Sequence, residues 1–452
     1  MLITLAAPAF AGTWYIENGD ITVKASGTEG KNKVSQGNNP EVEDTDTIIT
    51  NQKTDTASSH TVTIDAGNDK VEVTLKDVNI DTSSRNKAAV SVTGSGNTTI
   101  KLDGDNHLTG GNGIYSNSSG SLTISGDEND SLTAQGGDSR NGIYSVSGDV
   151  TISGGTVTAT GGNSTGSYGS GGDGIHSGSL TISGGTVTAT GGDSTGSNGL
   201  GGRGICSDSG GITISGGSTV TANGGNGSSG RDGISSSSGV TVSDGTVTAT
   251  GGNSTGSYGS GGDGIRSGDI DLSGSLELTA KAGSPNGKAL SQRGNELDLN
   301  TIKDKLGPGA KVTTTDADGK VNQVPIPGPV EPEEPVIPEE SSSSSDGGSA
   351  TPSAPASSLP GLTVTDKSGA VISYTSTQSG NTLTVCVGRF AASLRASLST
   401  LRQLRAEGIE TITFQTILCS TTLSVDELLA MGGEDAEAVL THRSTDSSLT
   451  VG

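Results

Sequence analysis

The sequence predicts an all-β protein whose main part is a right-handed parallel β-helix (a solenoid), followed by a Pro/Ser-rich linker and a small α/β module. Three observations support this prediction. The 21-residue segment GTVTATGGNSTGSYGSGGDGI occurs without change at 155–175 and 245–265. A Gly-Ile pair recurs from Gly113 to Gly264 at intervals of 29, 32, 30, 29 and 31 residues. The repeats stop near residue 323, where the composition changes abruptly.

Each repeat contains three short runs in which apolar and polar residues alternate; in one repeat they are 174–177, 180–183 and 187–190. Successive side chains of a strand point to opposite faces, so one face of each run is aliphatic. One coil cannot bury that face alone. Each strand must therefore pair in parallel with its counterpart one repeat along. Two predicted interior ladders are Ile114, Ile143, Ile175, Ile205, Ile234, Ile265 and Leu122, Val150, Leu180, Ile212, Val240, Ile270.

Earlier runs with the same alternation, at 62–64, 71–75, 89–92 and 99–102, predict further coils upstream. The segment 13–23 carries the single Trp and is expected to cap the N-terminal end of the column. Residues 276–300 and 311–321 are expected to close the other end. The predicted solenoid thus occupies residues 12–323.

Beyond the repeats, residues 324–359 are rich in Pro and Glu and then in Ser, which predicts an extended linker. Residues 360–452 predict a small α/β module of unknown role. Its expected elements are strands at 382–387 and 411–418, a helix at 389–407, and a short helix to Met431 that begins at the capping box Ser424–Glu427. Cys386 and Cys419 could form a disulfide or remain free thiols.

Composition and charge limit the function. The formal net charge of −23 argues against nucleic-acid binding, which needs a basic surface, and it suits a surface protein or one that collects divalent cations. Residues 1–11, MLITLAAPAFA, form an apolar run with a small-x-small end, which predicts a signal peptide and a secreted or cell-surface location. No other apolar stretch has the length of a transmembrane helix.

Acidic residues recur at two corners of the repeat. Asp173, Asp232 and Asp263 each precede a Gly-Ile pair, and Asp193 belongs to a second corner column. Stacked carboxylates of this kind could hold Ca²⁺ through oxygen ligands. Because Asn and Asp also favour tight turns beside Gly, a turn ladder without metal is the favoured interpretation.

Four tyrosines are candidate sugar-binding residues. Tyr115 and Tyr144 follow Gly-Ile pairs on the predicted outward face, and Tyr168 and Tyr258 occupy the Gly/Ser-rich loops. A row of such side chains suits a polysaccharide lying along the coils, and acidic sugars bridged by Ca²⁺ would suit the negative chain. The alternative is that these tyrosines only brace the loops.

A catalytic site is less well indicated. The residue after each Gly-Ile changes along the column and predicts no concentrated cluster; in order it is Tyr115, Tyr144, His176, Cys206, Ser235 and Arg266. Polysaccharide lyases built on this fold need carboxylate-bound Ca²⁺ beside a basic residue. Four residues expected on one face would permit such a site, so a lyase stays an open alternative; they are Asp173, Arg203, Asp232 and Arg266.

The segments LKDVNID, KLDGDNHL, NGIYS and LTISGGTVTATGG resemble secreted β-helix repeat proteins of Gram-positive bacteria, in particular the clostridial carbohydrate-binding β-helix proteins. The resemblance covers about residues 13–322. It implies a lyase-like fold that binds cellulose or acidic sugars, with calcium, and does not cleave them. The expected function is therefore extracellular, non-catalytic polysaccharide binding. A structural stalk or adhesin of the bacterial surface is the alternative, and a lyase the second one.

Overall fold

The computed structural model describes residues 12–324 except 29 and 308, and residues 362–451 except 367–370, 373, 388, 390, 417–419, 432–435 and 444–445. The chain divides into two compact units, 1–329 and 330–452. The predicted signal peptide, the predicted linker after Val324 and Cys419 lie outside the described residues. None of the described helices has the length and apolarity needed to cross a bilayer.

The first unit consists almost entirely of short strands. The first ten are β1 (Thr13–Tyr15), β2 (Ile21–Ala25), β3 (Asn32–Gln36), β4 (Val42–Asp44), β5 (Ile48–Thr50), β6 (Val62–Asp65), β7 (Val71–Lys76), β8 (Asn79–Asp81), β9 (Val90–Thr93) and β10 (Thr98–Asp103). The next ten are β11 (Asp105–Gly110), β12 (Ile114–Ser116), β13 (Leu122–Ser125), β14 (Ser131–Gly136), β15 (Ile143–Ser145), β16 (Val150–Ile152), β17 (Thr156–Thr160), β18 (Ile175–Ser177), β19 (Leu180–Ile182) and β20 (Thr186–Thr190). The last nine are β21 (Ile205–Ser207), β22 (Ile212–Ile214), β23 (Thr219–Asn223), β24 (Ile234–Thr250), β25 (Ile265–Lys281), β26 (Leu290–Gln292), β27 (Asn295–Glu296), β28 (Lys311–Thr315) and β29 (Val321–Gln323). Short 3-10 helices occur at Ile16–Asn18, Ser83–Arg85, Leu299–Thr301 and Lys303–Lys305.

Parallel pairing from coil to coil joins these strands into a β-solenoid of about 11 turns. Sheet A contains β1, β5, β7, β10, β13, β16, β19, β22 and the middle parts of β24 and β25. Sheet B contains β8, β11, β14, β17, β20, β23, the last parts of β24 and β25, and β28. Sheet C contains β2, β6, β9, β12, β15, β18, β21, the first parts of β24 and β25, and β26.

Both predicted interior ladders are confirmed. The isoleucines of the first pair in register along sheet C, and the aliphatics of the second pair along sheet A. Every isoleucine of the first ladder has no exposed surface. The apolar interior supplies the folding free energy that no coil could gain alone, at about 25 cal/mol per Å² buried.

Glycines at the corners let neighbouring coils approach closely. Gly162 and Gly192 occupy one corner of successive coils, and a Cβ atom added to Gly192 would lie 2.1 Å from the carbonyl oxygen of Gly162. A Cβ on Gly162 would lie 1.7 Å from the carbonyl oxygen of Gly137. The repeated Gly-Gly pairs are therefore required by contact between backbones of adjacent coils.

Antiparallel strands interrupt the coil pattern near both ends of the solenoid. Near its beginning, β3 pairs antiparallel with both β2 and β4, and the indole Nε1 of Trp14 donates to Asp44 at 2.6 Å. Near its end, β27 and β29 pair antiparallel with β26 and β28. The expectation that the closing segment starts at Leu276 is wrong, because Leu276 to Lys281 still pairs in parallel within sheet B.

The second unit contains two sheets and two helices in its described residues. Its elements are β30 (Leu362–Thr365), β31 (Val371–Ile372), β32 (Thr375–Ser379), β33 (Thr382–Cys386), β34 (Ala391–Ser397), α1 (Leu398–Ala406), β35 (Thr411–Gln415), β36 (Ser420–Ser424), α2 (Val425–Met431), β37 (Glu437–Arg443) and β38 (Asp446–Val451). One sheet has the order β31-β30-β34-β37-β38 and the other β32-β33-β35-β36.

One boundary in this unit differs from the sequence prediction. The predicted helix 389–407 is wrong over residues 391–397, which form β34 between β30 and β37. The helix begins after Ser397, whose side chain accepts the backbone N–H of Thr400. Leu394 fits the helical apolar spacing but is buried as a strand residue, because pairing on both sides outweighs a weak local preference. The predicted short helix ending at Met431 is confirmed, with the backbone N–H of Glu427 donating to Ser424.

Candidate functional site

The outward face of sheet C carries a continuous row of chemically varied side chains. Strand alternation directs the isoleucine of each Gly-Ile pair inward and the following residue outward. Parallel register then places these outward residues side by side on successive coils. We call this set the sheet C row; in order it is Ser91, Tyr115, Tyr144, His176, Cys206, Ser235, Arg266 and Ser291.

Three ring side chains of the row contact one another. The ring centroids of Tyr115 and Tyr144 are 5.7 Å apart with planes inclined at 51°. Tyr144 meets His176 edge to face, with centroids 5.0 Å apart. Such tilted and edge-to-face pairs are favourable arrangements of aromatic rings. Partial burial raises the pKa of Tyr144, and the nearby charges of Asp208 and Asp173 act in the same direction.

A shallow groove lies beside the two tyrosines of the row. Besides Tyr115 and Tyr144, its lining includes Asn86, Lys87 and Arg140. A second depression shares Asn86 and Arg140 with this groove and also contains Asp138. Lys87 and Arg140 are exposed, and neither forms an ion pair with a carboxylate in the described part of the chain. The groove thus combines aromatic surface with two cations on a strongly negative chain.

The other two predicted tyrosines lie apart from this groove. Tyr168 and Tyr258 project from the Gly/Ser-rich loops with relative exposures of 82% and 103%. Within the described residues, no ring contact joins either of them to another aromatic side chain. Of the four predicted sugar-binding tyrosines, the structure therefore brings together Tyr115 and Tyr144.

The acidic corner residues form hydrogen-bonded ladders. Oδ1 of Asp173 accepts the backbone N–H of Arg203 at 2.6 Å, one coil along. Oδ1 of Asp232 accepts from Asp263 at 2.8 Å, and Oδ1 of Asp263 accepts from Lys288 at 2.7 Å. Each side chain therefore supplies a partner to a backbone group at the corner of the next coil, as a turn ladder requires.

The second corner column repeats this arrangement. The Oδ1 atom of Asp193 accepts the backbone N–H of Asn226 at 2.7 Å, and Asn226 in turn accepts from Asn253 at 2.7 Å. Aspartate and asparagine both occur in this column because each carries the acceptor oxygen that the ladder uses. The column therefore has no need of a negative charge.

The four predicted calcium ligands do not converge. Asp173, Asp232 and Asp263 lie on one column, Asp193 lies on the other, and Arg203 separates Asp173 from Asp232. Ca²⁺ takes six to eight oxygen ligands. No three of these carboxylates come within ligand distance of one another in the described part of the chain. The residues present therefore fit a turn ladder rather than a calcium site, and calcium binding stays a prediction.

The structure brings two residues of the row together with a corner residue in a cluster that the sequence analysis did not predict. One donor atom from each of Asp173, His176 and Cys206 lies within 4.8 Å of the other two. The row supplies His176 and Cys206, whereas Asp173 comes from the corner ladder and Asp208 from the turn after β21. The signal in the sequence was the change from Tyr to His to Cys at one position of the repeat. The third member, Asp173, occupies a different position of the repeat, so the sequence did not indicate that it lies beside His176 and Cys206.

Hydrogen bonds orient this cluster. The imidazole Nδ1 of His176 lies 2.8 Å from Oδ2 of Asp173, and its Nε2 lies 2.8 Å from Oδ2 of Asp208. Burial opposes a charged imidazole, but hydrogen bonds to the two carboxylates outweigh it and raise the pKa of His176. Burial raises the pKa of the Cys206 thiol to about 12, although the Arg203 charge acts in the opposite direction. Without a further cation, Cys206 is therefore a neutral thiol.

The chain is thus a β-solenoid protein whose sheet C carries a groove of tyrosines and cations next to an Asp/His/Cys cluster. Comparison with protein-family models, with curated proteins and with solved structures finds no match to this chain.

Proposed function

We propose that this chain is an extracellular, non-catalytic protein that binds an acidic polysaccharide along the groove beside Tyr115 and Tyr144. The observation that carries the proposal is that two contacting aromatic rings share one groove with two cations, Lys87 and Arg140, which form no ion pair within the described residues. Apolar C–H faces of sugar rings pack on aromatic rings. Uronate carboxylates pair with guanidinium and ammonium groups. We expect cellulose, which has no carboxylates, to bind more weakly.

The groove supports binding without cleavage better than it supports a lyase. Among the described residues, its lining includes no Asp, Glu, His or Cys, and therefore none of the carboxylates that would hold the calcium of a lyase. The secreted or cell-surface location, and the right-handed sense of the solenoid, belong to the same proposal. The handedness follows the rule that crossovers between parallel strands are right-handed in nearly all proteins.

Affinity electrophoresis of the full chain tests this proposal, with polygalacturonate, a soluble cellulose derivative or double-stranded DNA in the gel. Retardation by polygalacturonate alone is expected, since recognition needs both sugar rings and carboxylates. Arg140→Ala and Tyr144→Ala should each weaken binding about tenfold or more, as expected for a lost hydrogen bond to a charged group or a lost stacking surface. Tyr168→Ala is the matched control, because it removes an exposed tyrosine outside the groove.

Other outcomes would redirect the proposal. Migration unaffected by every polymer would favour the alternative, a structural stalk or adhesin. Equal retardation by DNA would mean that binding responds to phosphate charge rather than to sugar. Release of unsaturated products from polygalacturonate would show that the chain is a lyase.

A further inference from the structure

The Asp173, His176 and Cys206 cluster joins three different kinds of metal-ligating atom from two neighbouring coils. Parallel pairing sets His176 directly beside Cys206, and Asp173 lies three residues before His176. In the described part of the chain, this is the one group of three or more His, Cys, Asp or Glu side chains whose donor atoms all lie within 4.8 Å of one another. Its members belong to the row and the corner ladder and not to the groove lining.

The donor set selects the kind of metal. A carboxylate oxygen, an imidazole nitrogen and a thiolate sulfur together are typical of zinc sites, whereas calcium requires oxygen ligands. Thiolate in particular favours a borderline or soft cation over Mg²⁺ or Ca²⁺. The cluster therefore differs in metal class from the calcium site that the aspartate columns suggest.

His176 is already held in the orientation that a metal ligand needs. Nε2 lies 2.8 Å from Oδ2 of Asp208, and Nδ1 lies 2.8 Å from Oδ2 of Asp173. With the Nε2 proton donated to Asp208, loss of the proton between Nδ1 and Asp173 leaves the Nδ1 lone pair free for a metal. Carboxylates play this part for histidines in established zinc sites, where they fix the ring and raise its basicity. Asp208 is therefore a positioning residue and not a ligand in this arrangement.

Burial and charge are consistent with a bound dication. Cys206 is 2% exposed and Asp173 is 9% exposed, so the ligands lie mostly out of water. The charges of one carboxylate and one thiolate neutralise Zn²⁺. The guanidinium of Arg203 lies 3.9 Å from Oδ2 of Asp173, and Asp208 adds a negative charge that acts on this guanidinium. With both of these charges counted, the charges around a bound Zn²⁺ sum to zero.

We propose that Asp173, His176 and Cys206 bind one zinc ion through Oδ2, Nδ1 and Sγ, with the fourth position open to water or another ligand. Binding releases the thiol proton and the proton shared between His176 and Asp173 to solvent. Two neighbouring coils are joined through the metal. The inference is independent of the polysaccharide proposal, since neither the groove lining nor a sugar takes part in it.

Metal titration of the full chain, first freed of metal with a chelator, tests the proposal. Calorimetry should show one Zn²⁺ per chain. Co²⁺ serves as a spectroscopic probe, because a cobalt ion bound to thiolate gives a sulfur-to-metal charge-transfer band. A Cys386→Ser/Cys419→Ser chain retains Cys206 as its single thiol. A band in that chain assigns the sulfur ligand without altering the proposed site.

Substitutions then separate ligands from positioning residues. Cys206→Ser should abolish the band, and His176→Ala should weaken Zn²⁺ binding at least 100-fold. Asp208→Asn should weaken binding about 10- to 100-fold and keep the band, as outer-shell changes do. Asp193→Asn is a control on the other corner column and should bind as the wild type does. Absence of the band from the single-thiol chain, or Zn²⁺ binding that Cys206→Ser leaves unchanged, would overturn the proposal.

Discussion

The carboxylate of Asp173 joins the imidazole of His176 to the corner ladder of the solenoid. Its Oδ2 lies 2.8 Å from Nδ1 of His176, while its Oδ1 accepts the backbone N–H of Arg203 at 2.6 Å. The two oxygens thus have different partners on different coils. The hydrogen bond from Arg203 to Oδ1 fixes the direction of the carboxylate. It thereby holds Oδ2 toward the imidazole, and no further side chain is needed to orient it.

If the corner residues form a turn ladder, the aspartates in it stabilise the fold as hydrogen-bond acceptors, and their negative charge contributes nothing. At Asp193, the Asn substitution keeps the oxygen that accepts from Asn226 and should leave the denaturation midpoint unchanged. Asp193→Ala removes that acceptor and should cost about 1 kcal/mol of unfolding free energy, the usual net value of one hydrogen bond. Urea denaturation followed by circular dichroism measures both. If Ca²⁺ stabilises the wild type but not Asp193→Asn, the charge matters and the calcium prediction gains support.

Close approach of the coils predicts that Gly192 tolerates no side chain. A Cβ atom there would lie 2.1 Å from the carbonyl oxygen of Gly162, so Gly192→Ala must push two coils apart. The expected loss of unfolding free energy is about 1–3 kcal/mol or more. Gly239→Ala is the control, because the nearest atom to its added Cβ is 3.8 Å away. Equal denaturation midpoints for the two variants would contradict the proposed reason for the Gly-Gly corners.

Strand alternation in sheet C predicts opposite effects at neighbouring positions. Ile234 has no exposed surface, and truncation to Ala should cost about 2–5 kcal/mol because it leaves a cavity in the interior ladder. Ser235 points outward on the same strand, and Ser235→Ala should change stability by less than about 0.5 kcal/mol. Thermal unfolding of both variants under one set of conditions makes the comparison. A small effect at Ile234 would mean that the interior can collapse around the missing atoms.

Acid sensitivity should arise partly from Asp20. Its two oxygens accept from Nη1 and Nη2 of Arg85 at 3.0 and 3.1 Å, and this pairing lowers the pKa of Asp20 well below its usual range. Because the folded pKa lies below the unfolded one, the stabilisation is fully present above about pH 4 and is lost as the pH falls below that value. Asp20→Asn should therefore destabilise the chain at pH 7, and its difference from the wild type should shrink in acid.

Urea midpoints at pH 7 and pH 3 measure this difference. Asp318→Asn is the control, since Asp318 is exposed on the turn between β28 and β29. A difference between wild type and Asp20→Asn that stays constant across this range would indicate that the pair contributes through packing rather than charge.

Much of the solenoid could be predicted from local pattern. The period placed Ile114 and Ile143 at equivalent positions, and alternation decided which side chains face inward. The second unit was less predictable: Leu394 fits a helical stripe, yet pairing with β30 and β37 makes its segment a strand. The second unit has no sequence repeat in which a weak local preference would recur and so become convincing.

The sequence by itself determined the repeat, the strands of the repeated coils and their inward ladders, because a stacked coil has one way to bury its aliphatic face. Only the tertiary structure decided that the donor atoms of Asp173, His176 and Cys206 lie close together. The register that sets His176 beside Cys206 follows from the repeat period. The direction in which the corner side chain of Asp173 turns toward that strand does not, because the period carries no information about side-chain torsions.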